Sequence, residues 1–245
     1  MIAARRRAGA AAVAGALLCA GFAGLGDWQL QRLAWKRELI AAVDARVSAP
    51  PQAPPGPAAW PSVTAGADAY RHVRVGGVFA NDQETLVQAV TEAGPGFWVL
   101  TPLRADAGWT VLVNRGFVPA ASASPTTRRT GQVAGHATVT GLLRLSEPGG
   151  GFLRANRPEA GRWYSRDVAA IADARGLTRT APYFIDADAT PNPGWPKGGE
   201  TIIDIPNNHF DYALTWFGLA GVLFGVYLAW HISRGRLGFG RSNHP

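Results

Sequence analysis

Apolar and polar positions are segregated along this chain rather than evenly mixed. Residues 8–26 form an uncharged run, and residues 210–230 form a second in which Asp211 is the only charge. Each approaches the ~20 residues that a membrane-spanning helix needs. The first, rich in Ala and Gly, is the weaker span, and a cleaved signal peptide is its alternative reading. It runs without a break into "DWQLQRLAWKRELIAAVDARV", whose apolar and aromatic positions continue a helix, which favours a retained anchor.

The proline-rich stretch 49–61, "APPQAPPGPAAWP", is expected to be a semi-rigid spacer holding a domain away from the bilayer. Beyond it, short β-rich runs alternate with turn residues at 70–79, 84–90, 96–104, 109–119, 137–145, 181–187 and 201–205. The period of two at Val73/Val75 and at Val111/Val113 predicts strands with one face buried. One helix interrupts them, "SRDVAAIADARGL", with Ser165 as N-cap, Asp167 in the first turn and Gly176 as its stop.

The expected fold is therefore a membrane protein. Two transmembrane helices flank a β-rich domain, an antiparallel sheet or small barrel with one short helix. The boundaries are a tail 1–7, a span 8–26, a juxtamembrane helix and spacer 27–61, a β-rich domain 62–206, a span 210–230 and a tail 231–245.

Charge sharpens this picture. The net charge of +7 invites a nucleic-acid reading, but residues 27–209 hold 18 basic against 16 acidic side chains. The excess sits in Arg5, Arg6, Arg7, Arg234, Arg236 and Arg241, all beyond the ends of the spans. That asymmetry predicts cytoplasmic termini and an exported middle domain. Arginine outnumbers lysine 22 to 2, as in GC-rich bacteria, so the expected location is the bacterial inner membrane with a periplasmic main domain.

The candidate chemistry is sparse. The only cysteine, Cys19, lies in the first span, and Met1 is the only methionine, which argues against thiolate metal sites and copper carriage. No two of the five histidines stand at metal-ligand spacing, and no phosphate loop or nucleophile elbow occurs, so the protein is expected not to be an enzyme. Arg115 in "LVNRGF" reads either as a grip for an anion or as a surface ion pair beside a turn; the second is the expectation.

The second span opens with Asn207, Asn208 and His209, polar residues that a plain anchor does not need. At helical spacing His209, Tyr212, Ala213, Trp216 and Ala220 share one face. Trp28, Arg32 and Trp35 share a face where the first span leaves the membrane on the same side. Together they offer an imidazole for haem iron, aromatic walls and a cation for carboxylates. The competing reading makes them ordinary interfacial residues, with Arg32 on lipid phosphate and the asparagines capping the second helix. Gly221-x-x-x-Gly225 permits close packing of helices.

Four blocks, "LGDWQLQRLAWKRELI" (25–40), "TPL…VLVNRGFVP" (101–119), "RWYSRDVAAIA" (162–172) and "IPNNHFDYALTWFGLA" (205–220), resemble in this order the signatures of the Surfeit locus protein 1 family. That resemblance implies a non-enzymatic assembly factor that receives haem a and assists its insertion into the catalytic subunit of cytochrome c oxidase. The haem a synthesis enzyme and membrane lipid are its other implied partners. The family's histidine falls on His209, the implied haem-iron ligand, and its "WQ..R" on Trp28, Gln29 and Arg32. Phe210-Asp211 departs from the Leu-Gln frequent in the family and places a negative charge beside His209. A scaffold that binds oxidase subunits without touching a cofactor is the alternative.

Overall fold

The computed structural model describes residues 2–151, 153–189, 194–199, 201, 203 and 205–234, with side chains from residue 9 onward. The chain divides into two compact units: residues 1–41 with 204–245, and residues 42–203.

The first unit is a pair of helices. Helix α1 runs from Ile2 to Ser48 without interruption, so the first apolar run and the amphipathic segment after it are one helix, as the sequence predicts. Its partner in the unit is the last helix of the chain, His209–Ser233. Both are long and apolar enough to cross a membrane, and little of either span is buried within the protein. This is a membrane protein. Residues 235–245, most of the expected C-terminal tail, lie outside the described residues.

The second unit is the β-domain. After a 3-10 turn at Pro57–Ser62 and the one-turn helix α2 (Ala65–Asp68) come strands β1 (His72–Phe79), β2 (Thr85–Thr91), β3 (Gly94–Ala105), β4 (Thr110–Pro119), β5 (His136–Leu145) and β6 (Thr180–Ala187), with helix α3 (Val168–Ala174) before the last strand. The closing helix of the chain, His209–Ser233, is α4. Strand order is β1-β5-β6-β4-β3-β2, and β1 also pairs with β3. Five strands thereby close on themselves and β2 extends the sheet beyond β3. Closure removes the open edges that β1 and β3 would otherwise expose.

All pairings between strands are antiparallel except β4 with β6, which is parallel. The α3 crossover lies between those two strands in the chain and spans the distance a parallel connection needs. Six of the seven expected strands form. The seventh, 201–205, falls partly outside the described residues, and Thr201, Ile203 and Ile205 carry no strand pairing.

The core has two layers. Val73, Val75, Leu103, Val111, Val113, Val139, Tyr183 and Ile185 fill the barrel. Val87, Leu100, Leu112, Trp163, Val168, Ile171 and Phe184 form a second cluster between the sheet and α3. Strand β4 is thus buried on both faces, not on the single face that Val111 and Val113 imply, because α3 covers Leu112.

Two local expectations are corrected. Asp167, not Ser165, caps α3, its carboxylate accepting from the backbone N–H of Ala170 at 3.1 Å. Ser165 instead accepts from Gly150 N–H and the Asn156 amide, tying down the preceding loop. The proline-rich stretch is not a free spacer. Gln52 bridges β1 through bonds to His72 and Arg74, Trp60 meets Trp109 edge-on with ring centroids 6.0 Å apart, and Tyr183 donates to the Pro55 carbonyl. Proline removes donors from this stretch, yet Gln52 keeps an N–H and a carbonyl to pair, and an indole gains more by burial than by solvation.

A histidine at the mouth of a helix pair

The faces that α1 and α4 present to each other are set by spacing. On α1 the covered positions are Ala12, Gly15, Cys19, Phe22, Gly26, Gln29 and Leu33; on α4 they are His209, Ala213, Trp216, Ala220, Leu223 and Tyr227. Steps of three and four alternate in both, an average of 3.5, which keeps one stripe facing a partner along a shallow left-handed crossing. Contacts run antiparallel: Tyr227 against Gly15, the Ala220 carbonyl 3.8 Å from Cys19 Sγ, Trp216 stacked on Phe22 at 5.7 Å and His209 on Gln29. Small residues permit the approach. A Cβ on Gly26 would stand 2.7 Å from the Phe217 ring.

At the N-terminal end of α4 the stripe ends in polar groups. His209 Nδ1–H donates to Gln29 Oε1 at 2.7 Å, since an amide oxygen only accepts. In a neutral ring that bond puts the proton on Nδ1 and leaves the lone pair on Nε2, which has no partner among the described residues. Gln29 is only 9% exposed, so the pair sits where a hydrogen bond is poorly replaced by water. Fixing one ring nitrogen on a carbonyl is how proteins orient an imidazole for a metal. Asn208 occupies the N-cap position but its side chain makes no capping bond. Asn207 Oδ1 is buried without a partner. The asparagines are therefore not the caps that the plain-anchor reading requires.

The other expected site residues divide. Trp216 lies in the stripe, and Tyr212, 56% exposed, stands beside it on the helix flank. Trp28, Arg32 and Trp35 are on the exposed side of α1, away from the buried Gly26–Gln29–Leu33 stripe. Arg32 is held between two indoles, 5.7 Å from the Trp28 ring and 5.3 Å from that of Trp35. The convergence of Arg32 and Trp28 with His209 is thus corrected. A shared helix end does not make a shared face, because residues 28 and 32 stand roughly 100° and 60° around the helix from residue 29, both on the same flank. Gly221 and Gly225 meet nothing within 4 Å and take no part in the pairing. Gln29, named in the family's motif but given no role in the expected site, is the partner that the structure adds. Its signal is a lone amide in a stripe otherwise apolar or small, in register with His209.

The β-domain offers less chemistry. Asp186, 3% exposed, accepts from Asn114 at 2.8 Å and from Arg144 at 2.9 Å, and Arg166 bridges it to Glu147. Two guanidiniums are balanced by two carboxylates. No cluster of three metal-ligating side chains occurs among the described residues. Arg115 lies within β4 at 8% exposure and forms no ion pair among the described residues, which corrects its reading as a surface pair. Gly116 beside it has φ +121°, and a Cβ there would collide with the Lys197 carbonyl.

Residues 16–221 match the model of the SURF1 family. The chain belongs to the SURF1 family. The Surfeit locus protein 1 of Rattus norvegicus is 41% identical over 214 residues, covering 80% of this chain and 67% of its own. That of Homo sapiens is 39% identical over 216 residues, covering 80% and 69%. A SURF1-like protein of Monosiga brevicollis is 39% identical over 220 residues, covering 84% and 81%. The SURF1 family match takes in most of the α1–α4 pair as well as the barrel, so His209 and Gln29 both lie inside it.

Proposed function

We propose that this protein is a non-catalytic assembly factor for haem–copper cytochrome c oxidase, receiving haem a and passing it to the catalytic subunit. Family membership supports the assembly role. The observation that carries the haem reading is the His209–Gln29 pair, in which a buried carbonyl holds Nδ1–H and leaves Nε2 available. A neutral imidazole nitrogen is a good ligand for haem iron. A single such ligand at the end of a helix pair suits transient loading better than permanent retention. Trp216, stacked on Phe22, walls the groove beneath, and Tyr212 flanks it. Arg32 and Trp28, on the exposed face of α1, are assigned to the lipid headgroup boundary and not to the haem carboxylates. The arginines beyond the span ends support cytoplasmic termini and a periplasmic barrel in a bacterial inner membrane. The haem a synthesis enzyme is the donor in this scheme.

The test is the visible absorption of the purified full chain co-expressed with haem a synthesis enzymes. Haem a is expected to accompany the wild type and to be lost from a folded, inserted His209→Ala variant. Full occupancy in that variant would remove His209 as the ligand.

One observation favours a second reading, a scaffold for oxidase subunits. Gly218, Gly221 and Gly225 all leave open space on the outer side of α4, room for another helix to approach. On that reading Gly221→Leu with Gly225→Leu abolishes co-purification of the subunit and leaves haem binding intact.

A further inference from the structure

The buried arginines of the β-domain are treated unequally. Arg128 is paired with Glu84, Arg144 with Asp186, and Arg166 with both Glu147 and Asp186. Arg115, at 8% exposure more deeply buried than Arg144 or Arg166, has no carboxylate within 4.0 Å among the described residues. Its fixed contacts are neutral: the Gly131 carbonyl, the Asn81 side-chain oxygen at a long 3.4 Å and the Phe79 ring at 4.9 Å. A guanidinium presents five N–H groups, so these contacts neither use all of them nor cancel the charge. Burial lowers its pKa to about 10, with Glu84 opposing and Arg128 adding to the shift, so it stays charged at neutral pH. Glu84 is already committed to Arg128.

Arg115 also forms part of the wall of a cavity of about 380 Å³. Apolar surface from Phe79, Val113, Val139 and Pro196 makes up much of the remainder, with hydroxyls from Thr138 and Thr140. That volume is at the low end for small-molecule sites, and an apolar enclosure with one charged group is their usual composition. An unneutralised buried cation is costly, and a ligand carboxylate would remove the cost through a forked, charge-assisted pair.

We infer that this cavity binds a compact monocarboxylate with an apolar body, its carboxylate on Arg115 and its body against Phe79, Val113 and Val139. One cation in the cavity wall matches one negative charge, which disfavours a phosphate dianion. The site lies wholly within the β-domain, residues 42–203, and is independent of the haem reading.

The test uses the full chain in lipid nanodiscs and titrates 4-phenylbutyrate by calorimetry beside 4-phenylbutyramide and phenyl phosphate. Saturable one-to-one binding of the acid is expected, with the amide weaker by about tenfold or more, the loss of one charge-assisted pair. Arg115→Gln is expected to equalise acid and amide. Should that variant fail to fold, Ala137→Phe fills the cavity while keeping the guanidinium, and is expected to abolish binding. Equal affinity of acid and amide for the wild type would overturn the proposal. So would no saturable binding of the acid at millimolar concentration, unchanged binding in Ala137→Phe, or tighter binding of phenyl phosphate than of the acid.

Discussion

The helix pair holds its polar contact, Gln29 with His209, as a single amide–imidazole bond among small and aromatic residues. The barrel holds its polar contacts as ion networks, Asp186 with Arg144 and Arg166, beneath bulky aliphatic layers. The two regions are stabilised by different physics. Water drives the barrel together, so large apolar side chains dominate its core. In lipid there is no such drive between helices, and close approach of small residues takes its place. The same kind of substitution should therefore have opposite consequences in the two units.

The largest effect is expected in the barrel. Leu112 is fully buried beneath α3 with Leu100, Ile171 and Phe184. Leu112→Ala leaves a cavity and should cost about 2–5 kcal/mol in denaturant unfolding of the β-domain signal. An equivalent truncation on the outer face of α4, Leu219→Ala, exposes only lipid-facing surface (44% accessible) and should be near neutral. Equal losses at the two positions would erase the distinction.

Enlargement should reverse the order. Gly26→Leu drives a side chain into the Phe217 ring and should part α1 from α4. Cys19 offers a direct readout, being the only cysteine and lying against the Ala220 carbonyl. In Ala220→Cys, oxidation should form an internal disulfide quickly, and Gly26→Leu added to it should slow that reaction severalfold or more. An unchanged crosslinking rate would mean that the glycine is not what lets the helices meet.

Gln29 tests the polar contact itself. Gln29→Ala removes the acceptor that orients His209, and on the haem reading it should weaken haem occupancy by about tenfold, as loss of an outer-shell partner does. Gln29→Glu keeps an acceptor and should retain more haem than Gln29→Ala. A structural role alone predicts altered helix crosslinking in Gln29→Ala with occupancy unchanged.

Much of this was legible in the sequence, and the exceptions have physical reasons. Both long helices, six strands and the α3 segment follow from apolar period and turn residues. A small barrel was among the expectations, but which strands close it, β1 with β3, does not follow, because pairing partners far apart in sequence leave no local signal. Arg115 was misplaced for a related reason. Its neighbours Asn114 and Gly116 have turn chemistry, yet the strand continues through them, Asn114 reaching Asp186 on β6 and Gly116 making room for Lys197. At the helix pair, spacing identified the correct face of α4. On α1, however, aromatic and charged residues drew the reading to Trp28 and Arg32, when the interface runs through the less conspicuous Gly26, Gln29 and Leu33.

The smallest predicted effect separates the barrel's histidine from that of the helix pair. His72 Nδ1 lies 2.9 Å from the Ala49 carbonyl and Nε2 2.9 Å from Asp188. Both partners accept, so the ring is best served when doubly protonated. Burial pushes the His72 pKa down and Arg74 does likewise, but the bonds to Asp188 and Ala49 outweigh them and raise it above its ordinary 6.5. The folded state therefore binds this proton more tightly than the unfolded chain does. The stabilisation is fully present below about pH 6.5 and disappears as pH rises through the higher folded-state value. Asp188 is 45% exposed at its side chain, so screening keeps the effect small. Thermal unfolding of the β-domain should shift down by a degree or so, on the order of a few tenths of a kcal/mol, between pH 6 and 8, and His72→Gln should flatten that slope. A slope that survives His72→Gln would place the titrating group elsewhere in the barrel, whereas its loss would assign it to the ring held between Ala49 and Asp188.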